Sequence, residues 1–319
     1  MLMRRFAVLL VLLLGCRSDS DKAPPPTPTP AQEPVPIPLP VPQPATDLPA
    51  PLLWVVDGPN GPSYLQGTMH LGVDVHRDVH PIVFERLDAS KTFIMETDTS
   101  EIDRFEMSKL TELPAGYRLD QKLTKKQWDG LTEILPAIPA DTMKRFRPWF
   151  VLVAVTQSIL PATQPMDGVF QARAKNGGLK LAYLEEWKYQ IDMLDEVIGP
   201  ADIVELVDNF DDTKKELLDL AEGYKAGDPA VVERTIYDPE NYEKNPKVLD
   251  LLIVRRNREW MPKLEAHIKR GHSFIAVGVG HLVGDRGLIA MLRKRGYTVE
   301  RITLPQARER PVAPAAAAQ

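Results

Sequence analysis

Gly67-Thr68-Met69-His70-Leu71 and Gly278-Val279-Gly280-His281-Leu282 are the two stretches on which the reading of the fold turns. Each follows a short apolar run, Ser63 to Gln66 in the first case and Ser273 to Val277 in the second. Each precedes a segment of helical periodicity and a further strand-like run. After His70 these are Val79 to Leu87 and then Thr92 to Met95; after His281, Gly287 to Leu292 and then Tyr297 to Val299. The unit strand, Gly-x-x-His, helix, strand thus stands at both ends of the region expected to fold. Glycine at a strand exit permits a tight turn and close backbone approach. Histidine there lies at the carboxyl end of a strand, where open α/β sheets place their ligands. One such motif is weak; its repetition in matched surroundings points to a shared role. The pattern predicts a single α/β domain with a mixed central sheet, two such units and a helical middle.

Working outward, Leu52 to Val56 reads as a strand, Asp57 to Gly61 as a turn, and Ser63 to Gln66 as the returning strand of a hairpin that leads into Gly67. Thr92 to Met95 ends in Glu96-Thr97-Asp98, which places acids beside the His70 exit if those two strands pair in parallel. Thr124-Lys125-Lys126-Gln127 is a capping box opening an amphipathic helix. Residues 143–159 form an apolar helix interrupted near Pro148, and Asp167 opens a helix that stops at Asn176-Gly177-Gly178. Leu179 to Leu184 is a strand ending in Glu185-Glu186. Residues 192–224 are helical, and residues 248–269 read as one long helix that carries Arg255-Arg256-Asn257 and closes at Gly271.

His70, Glu96 and His281 form the candidate metal set, since a metal site needs neutral imidazoles and a carboxylate converging in a cleft. A catalytic metal would lower the pKa of its bound water towards neutrality. The plain alternative is a strand-end histidine hydrogen-bonded to backbone. His76 and His80, four apart, would make a local zinc cluster with His70, but Pro81 puts His80 at a helix start and His76 in a polar loop. His267 and His272 flank a helix end as surface groups. Glu185 is a fourth ligand or general base, and Arg256 with Asn257 a substrate or oxyanion group. Equally, Arg256 belongs to a solvated basic face with Arg255 and Arg258. No G-x-G-x-x-G, Walker lysine or G-x-S-x-G is present.

The flanks differ from this region. Of 319 residues 30 are proline, and about half of those fall between Ala23 and Pro62. Residues 1–16 read as a secretion signal: Arg4 and Arg5, an apolar run too short to span a bilayer, then Leu14-Gly15-Cys16. That ending resembles a bacterial lipoprotein signal, with Cys16 as the lipidated residue and the outer membrane as destination. Cys16 is the single cysteine, so no intrachain disulfide can form. Residues 17–51 are a proline-rich stalk of polyproline II character, residues 52–304 the folded domain, and residues 305–319 a frayed tail. A net charge of −5 argues against nucleic acid as a partner.

Over nearly all of Leu52 to Leu304 the chain resembles the TraB/GumN family, which includes the Tiki proteases and pheromone-shutdown proteins. The likeness rests on Gly67-Thr68-Met69-His70-Leu71-Gly72, Glu96, Pro148-Trp149, Met166-Asp167-Gly168, Leu184-Glu185 with Gln190, Arg256-Asn257, and Val277 to Gly284. The resemblance implies paired Gly-x-x-His motifs plus a glutamate as metal centre, holding a divalent ion such as manganese, cobalt or zinc. It implies metal-dependent hydrolysis of a peptide or amide. It also implies a distant likeness to erythromycin esterase and to haem-binding ChaN-like proteins. Capture of a peptide or haem without turnover is the rival expectation. The chain has Glu185-Glu186-Trp187 where the family pattern has Glu-Thr; the leading glutamate is kept.

Overall fold

The computed structural model describes residues 48–98, 104–237 and 246–303. The signal sequence, Cys16, most of the stalk and the 305–319 tail lie outside the described residues. Among the described residues no helix is long and apolar enough to cross a membrane.

Six strands build one mixed sheet: β1 (Leu53–Gly58), β2 (Gly61–Thr68), β3 (Thr92–Met95), β4 (Lys180–Tyr183), β5 (Ser273–Gly278) and β6 (Val299–Arg301), in the order β4-β3-β5-β2-β1-β6. β1 and β2 form the expected hairpin, in register from Leu53 opposite Gln66 to Gly58 opposite Gly61. β6 pairs antiparallel with β1. β2, β5, β3 and β4 run parallel, so their carboxyl ends emerge at one edge. β5 is buried along its whole length, as a central parallel strand covered on both faces must be. Apolar residues from Leu52 to Ile302 close into one core around it.

The sheet differs from expectation at one point. β3 does not lie beside β2; β5 stands between them, pairing Thr68 with Gly278 on one side and Met95 with Ala276 on the other. Glu96 therefore leaves the sheet beside the His281 exit.

The helical middle also differs in detail. Pro148 begins a helix, Pro148–Ile159, rather than interrupting one, because proline at the first turn gives up an N–H that has no partner there anyway. The Thr124–Gln127 capping box is present at the head of the Lys125–Ile134 helix. Residues 192–224 are split over three helices, Trp187–Val197, Pro200–Asp208 and Phe210–Lys225, the first break falling at Gly199-Pro200. The single long helix expected over 248–269 is a short helix, a π-helical stretch Asp250–Arg255, and the helix Arg256–Arg270. Such π segments are rare and often mark functional sites. The fold also reaches further towards the N-terminus than Leu52: Arg301 donates to the carbonyls of Pro51 (3.3 Å) and Ala50 (3.0 Å).

Candidate active site

Four strand exits and the start of one helix supply the candidate residues. His70 follows β2, Glu96 follows β3, Glu185 follows β4 and His281 follows β5. Arg256 and Asn257 open the Arg256–Arg270 helix directly after the π stretch. The two Gly-x-x-His turns touch. A Cβ on Gly67 would lie 2.7 Å from Val279 Cγ2, so only glycine lets the β2 exit pack on the turn that carries His281. Gly278 serves otherwise: its N–H donates to Glu96 Oε1 at 2.7 Å.

The site is buried. Arg256 and His281 are 0% exposed, Glu96 4%, His70 and Asp167 5%. Charge at that depth survives only when it is paired and hydrogen-bonded, and Arg256 does the pairing. Its NH2 donates to Glu96 Oε2 (2.6 Å) and Glu185 Oε1 (2.7 Å), and its Nε to Glu185 Oε1 (3.0 Å). Its NH1 donates to Leu252 O (3.0 Å) and lies 3.0 Å from His281 Nε2. Every N–H of the guanidinium is engaged within the protein. The Trp260 ring lies 4.6 Å from Arg256 Cζ and donates its indole N–H to Glu185 Oε2 at 2.7 Å. Gln190 donates to Glu96 Oε2 at 2.9 Å.

These contacts settle the state of His281. Arginine only donates, so Nε2 of His281 accepts, and Nδ1 carries the proton and donates to Asn257 Oδ1 at 2.7 Å. The Asn257 amide is held in turn by the carbonyls of His281 (3.2 Å) and Arg286 (3.1 Å). Burial, then the nearby Arg256 and His70 side chains, push the His281 pKa well below the usual histidine range. Burial likewise raises the Glu96 pKa, against the pull of Arg256, His70 and the Gly278 N–H. Burial also works against the Arg256 charge, but Glu185 and Glu96 more than offset it and its pKa moves up.

His70 sits apart from the arginine. Its Nδ1 bonds Asp167 Oδ2 in a short buried contact, and Thr68 donates to Asp167 Oδ1 at 3.0 Å. Asp167 comes from the first turn of the Met166–Asn176 helix. The aspartate fixes Nδ1–H and leaves Nε2 as the basic nitrogen of His70.

The expected residues thus gather at one edge, but not as a ligand set. His281 Nε2 and Glu96 Oε1 are 3.9 Å apart, with Arg256 bonded to both residues. Among the described residues no group of three or more His, Cys, Asp or Glu is placed to hold a metal ion. Arg256 and Asn257, expected as substrate or oxyanion groups, spend their donors inside the protein. His76 and His80 form no zinc cluster with His70: His76 stacks on Phe84 in a short helix, and His80 Nδ1 accepts from the Ile82 N–H at 3.1 Å. Asp167 and Gln190 stand in the motifs that carry the family likeness but not among the expected site residues, and Trp260 stands in neither; all three contact the site. An acid directly after the Met166 helix start was the available signal.

A sponge protein named "Metalloprotease TIKI homolog", from Amphimedon queenslandica, is 31% identical over 65 residues, 19% of this chain and 13% of that relative. The chain therefore spans only a small part of that relative's length. An "Uncharacterized protein" of Treponema pallidum (strain Nichols) is 20% identical over 270 residues, 76% of this chain and 80% of the other. No solved structure matches. The profile of the TraB/PrgY/gumN family matches residues 52–301, from just before β1 to the last residue of β6, and the chain belongs to that family.

Proposed function

We propose that this protein is a peptidase-like hydrolase of the cell envelope, tethered through lipidated Cys16 and acting on a peptide or amide in the periplasm or at the surface of the outer membrane. The observation that carries the reading is the buried His70–Asp167 pair at the exit of β2. A histidine held by a carboxylate at Nδ1 can take a proton at Nε2 from an attacking water as the new C–O bond forms. It can then return that proton to the leaving amine. The sponge relative's name, a metalloprotease homolog, supports a peptide as substrate.

That name also brings metal dependence with it. Here the Glu96, Glu185 and His281 donors face a guanidinium, and they do not fit a divalent ion as arranged. Their role in this reading is to hold the edge of the sheet still around His70.

The test is incubation of the purified full chain with a complex peptide mixture, with cleavage followed by mass spectrometry. His70→Ala should abolish cleavage. Asp167→Asn should lower it by about 10²–10⁴, the usual contribution of a positioned acid–base group. Cleavage that persists in His70→Ala would remove the proposed base. Saturable peptide binding without cleavage, or a Soret band with haem, would replace hydrolysis by capture.

A further inference from the structure

From the geometry we infer that Arg256 is the resident cation of this site. Its guanidinium stands where a dication held by Glu96, Glu185 and His281 would stand, and the native chain binds no divalent metal at that place. Two carboxylates and one imidazole nitrogen converge on a single cation from the exits of three strands, β3, β4 and β5. That is the donor chemistry of a metal site. The cation present is covalently part of the chain. It is fully buried, backed by the Trp260 face, and anchored to the Leu252 carbonyl in the π stretch. A metal bonded to His281 Nε2 would need the lone pair that now accepts from Arg256 NH1, and would meet a fixed positive charge within a few ångströms.

The π stretch accounts for the placement. At the junction the Arg256 backbone N–H turns to the Ile253 carbonyl. The Leu252 carbonyl, one turn back, is the one that takes the guanidinium. Backbone and side chain of one residue thus share the irregular turn, which holds Arg256 pointing at the strand exits.

The experiment is independent of whether the chain hydrolyses anything. The full chain is stripped with EDTA and titrated with Co(II), read by visible d–d absorption, and with Mn(II) and Zn(II), read by calorimetry. The wild type should show no saturable uptake that responds to Glu96→Gln or His281→Gln. Arg256→Ala should open the position and take up one Co(II) at least tenfold more tightly than the wild type. That gain should vanish in Arg256→Ala/His281→Gln. Uptake unchanged by Glu96→Gln and His281→Gln lies elsewhere on the chain and supports the assignment. One equivalent of Co(II) bound by the wild type and lost in Glu96→Gln or His281→Gln would overturn it, as would a folded Arg256→Ala that takes up none. If Arg256→Ala does not fold, the comparison of the wild type with His281→Gln decides alone.

Discussion

Replacing Arg256 by methionine keeps much of the side-chain volume and removes the charge. Glu96 and Glu185 are then left buried with no cation between them, although Arg256 now reaches both at 2.6 and 2.7 Å. Removing one partner of a buried ion pair costs about 3–5 kcal/mol, because the other charge stays behind. Two carboxylates remain in this case, so the upper part of that range is expected at pH 7. The loss should depend on pH in a definite way. Burial already raises the Glu96 pKa, and Arg256 is the largest influence holding it down. Without the arginine it rises further. A carboxyl whose folded pKa is raised contributes stability that is fully present below its unfolded value of 4.5 and is lost as pH rises through the folded value. The deficit of Arg256→Met should therefore be small near pH 5 and grow towards pH 8. Adding Glu96→Gln and Glu185→Gln removes the stranded charges and keeps acceptors for Gly278 and Trp260, and it should recover at least about 2 kcal/mol. Urea denaturation followed by tryptophan fluorescence measures all three proteins. Additive losses, or a single-variant deficit under about 1 kcal/mol with no pH dependence, would refute the view that Arg256 neutralises this site.

Three further outcomes follow from particular contacts. His281 is held neutral with its pKa below 6.5, so the unfolded chain takes up the proton first. Stability should fall as pH drops below about 6.5, by up to about 1.4 kcal/mol per pH unit per such group. His80 and His267, also lowered by burial, act in the same direction, and a shallower slope in His281→Gln isolates its share; equal slopes would contradict its buried neutral state. A fragment beginning at Leu52 loses the Arg301 bonds to Ala50 and Pro51, about 1 kcal/mol each, and should melt several degrees below the full chain, with identical melting showing those bonds to be idle. Cys16→Ser should leave the chain soluble or unprocessed on membrane fractionation, and a distribution like that of the wild type would exclude the lipid anchor.

Much of the site could be read along the chain because its residues sit at punctuation points. His70 and His281 follow glycines that end strands, Glu96 and Glu185 follow the last apolar residue of theirs, and local pattern locates such ends well. Which ends become neighbours is another matter. β5 begins at Ser273, far along the chain from Thr68 at the end of β2 and Met95 at the end of β3, and no periodicity says that it inserts between them. The two acidic exits and Arg256 each stand out in the sequence; that the arginine lies between the two acids does not. Its helix carries Arg255, Arg256 and Arg258 in one polar-looking run, and only the buried Trp260 and Leu264 show which arginine turns inward. Asp167 was hidden by its ordinary place in a helix's first turn, where an acid is favoured by the helix dipole whether or not it holds a histidine.

A buried cluster of two carboxylates, a guanidinium and a neutral imidazole is a poor way to stabilise a sheet edge, since well-packed apolar residues do as well or better. Its worth lies in geometry. Through Arg256 the exits of β3, β4 and β5 share one set of hydrogen bonds, and Asn257 ties the His281 turn to the same helix. The β2 exit packs on that turn through the Gly67–Val279 contact. His70 therefore rests on an edge that is already fixed, with its basic nitrogen set by Asp167 and Thr68. Catalysis gains when groups need no rearrangement at the moment of reaction. In the hydrolase reading proposed above, the charged network and the histidine pair divide the work: one holds the strand ends in register, and the other is left to move the proton.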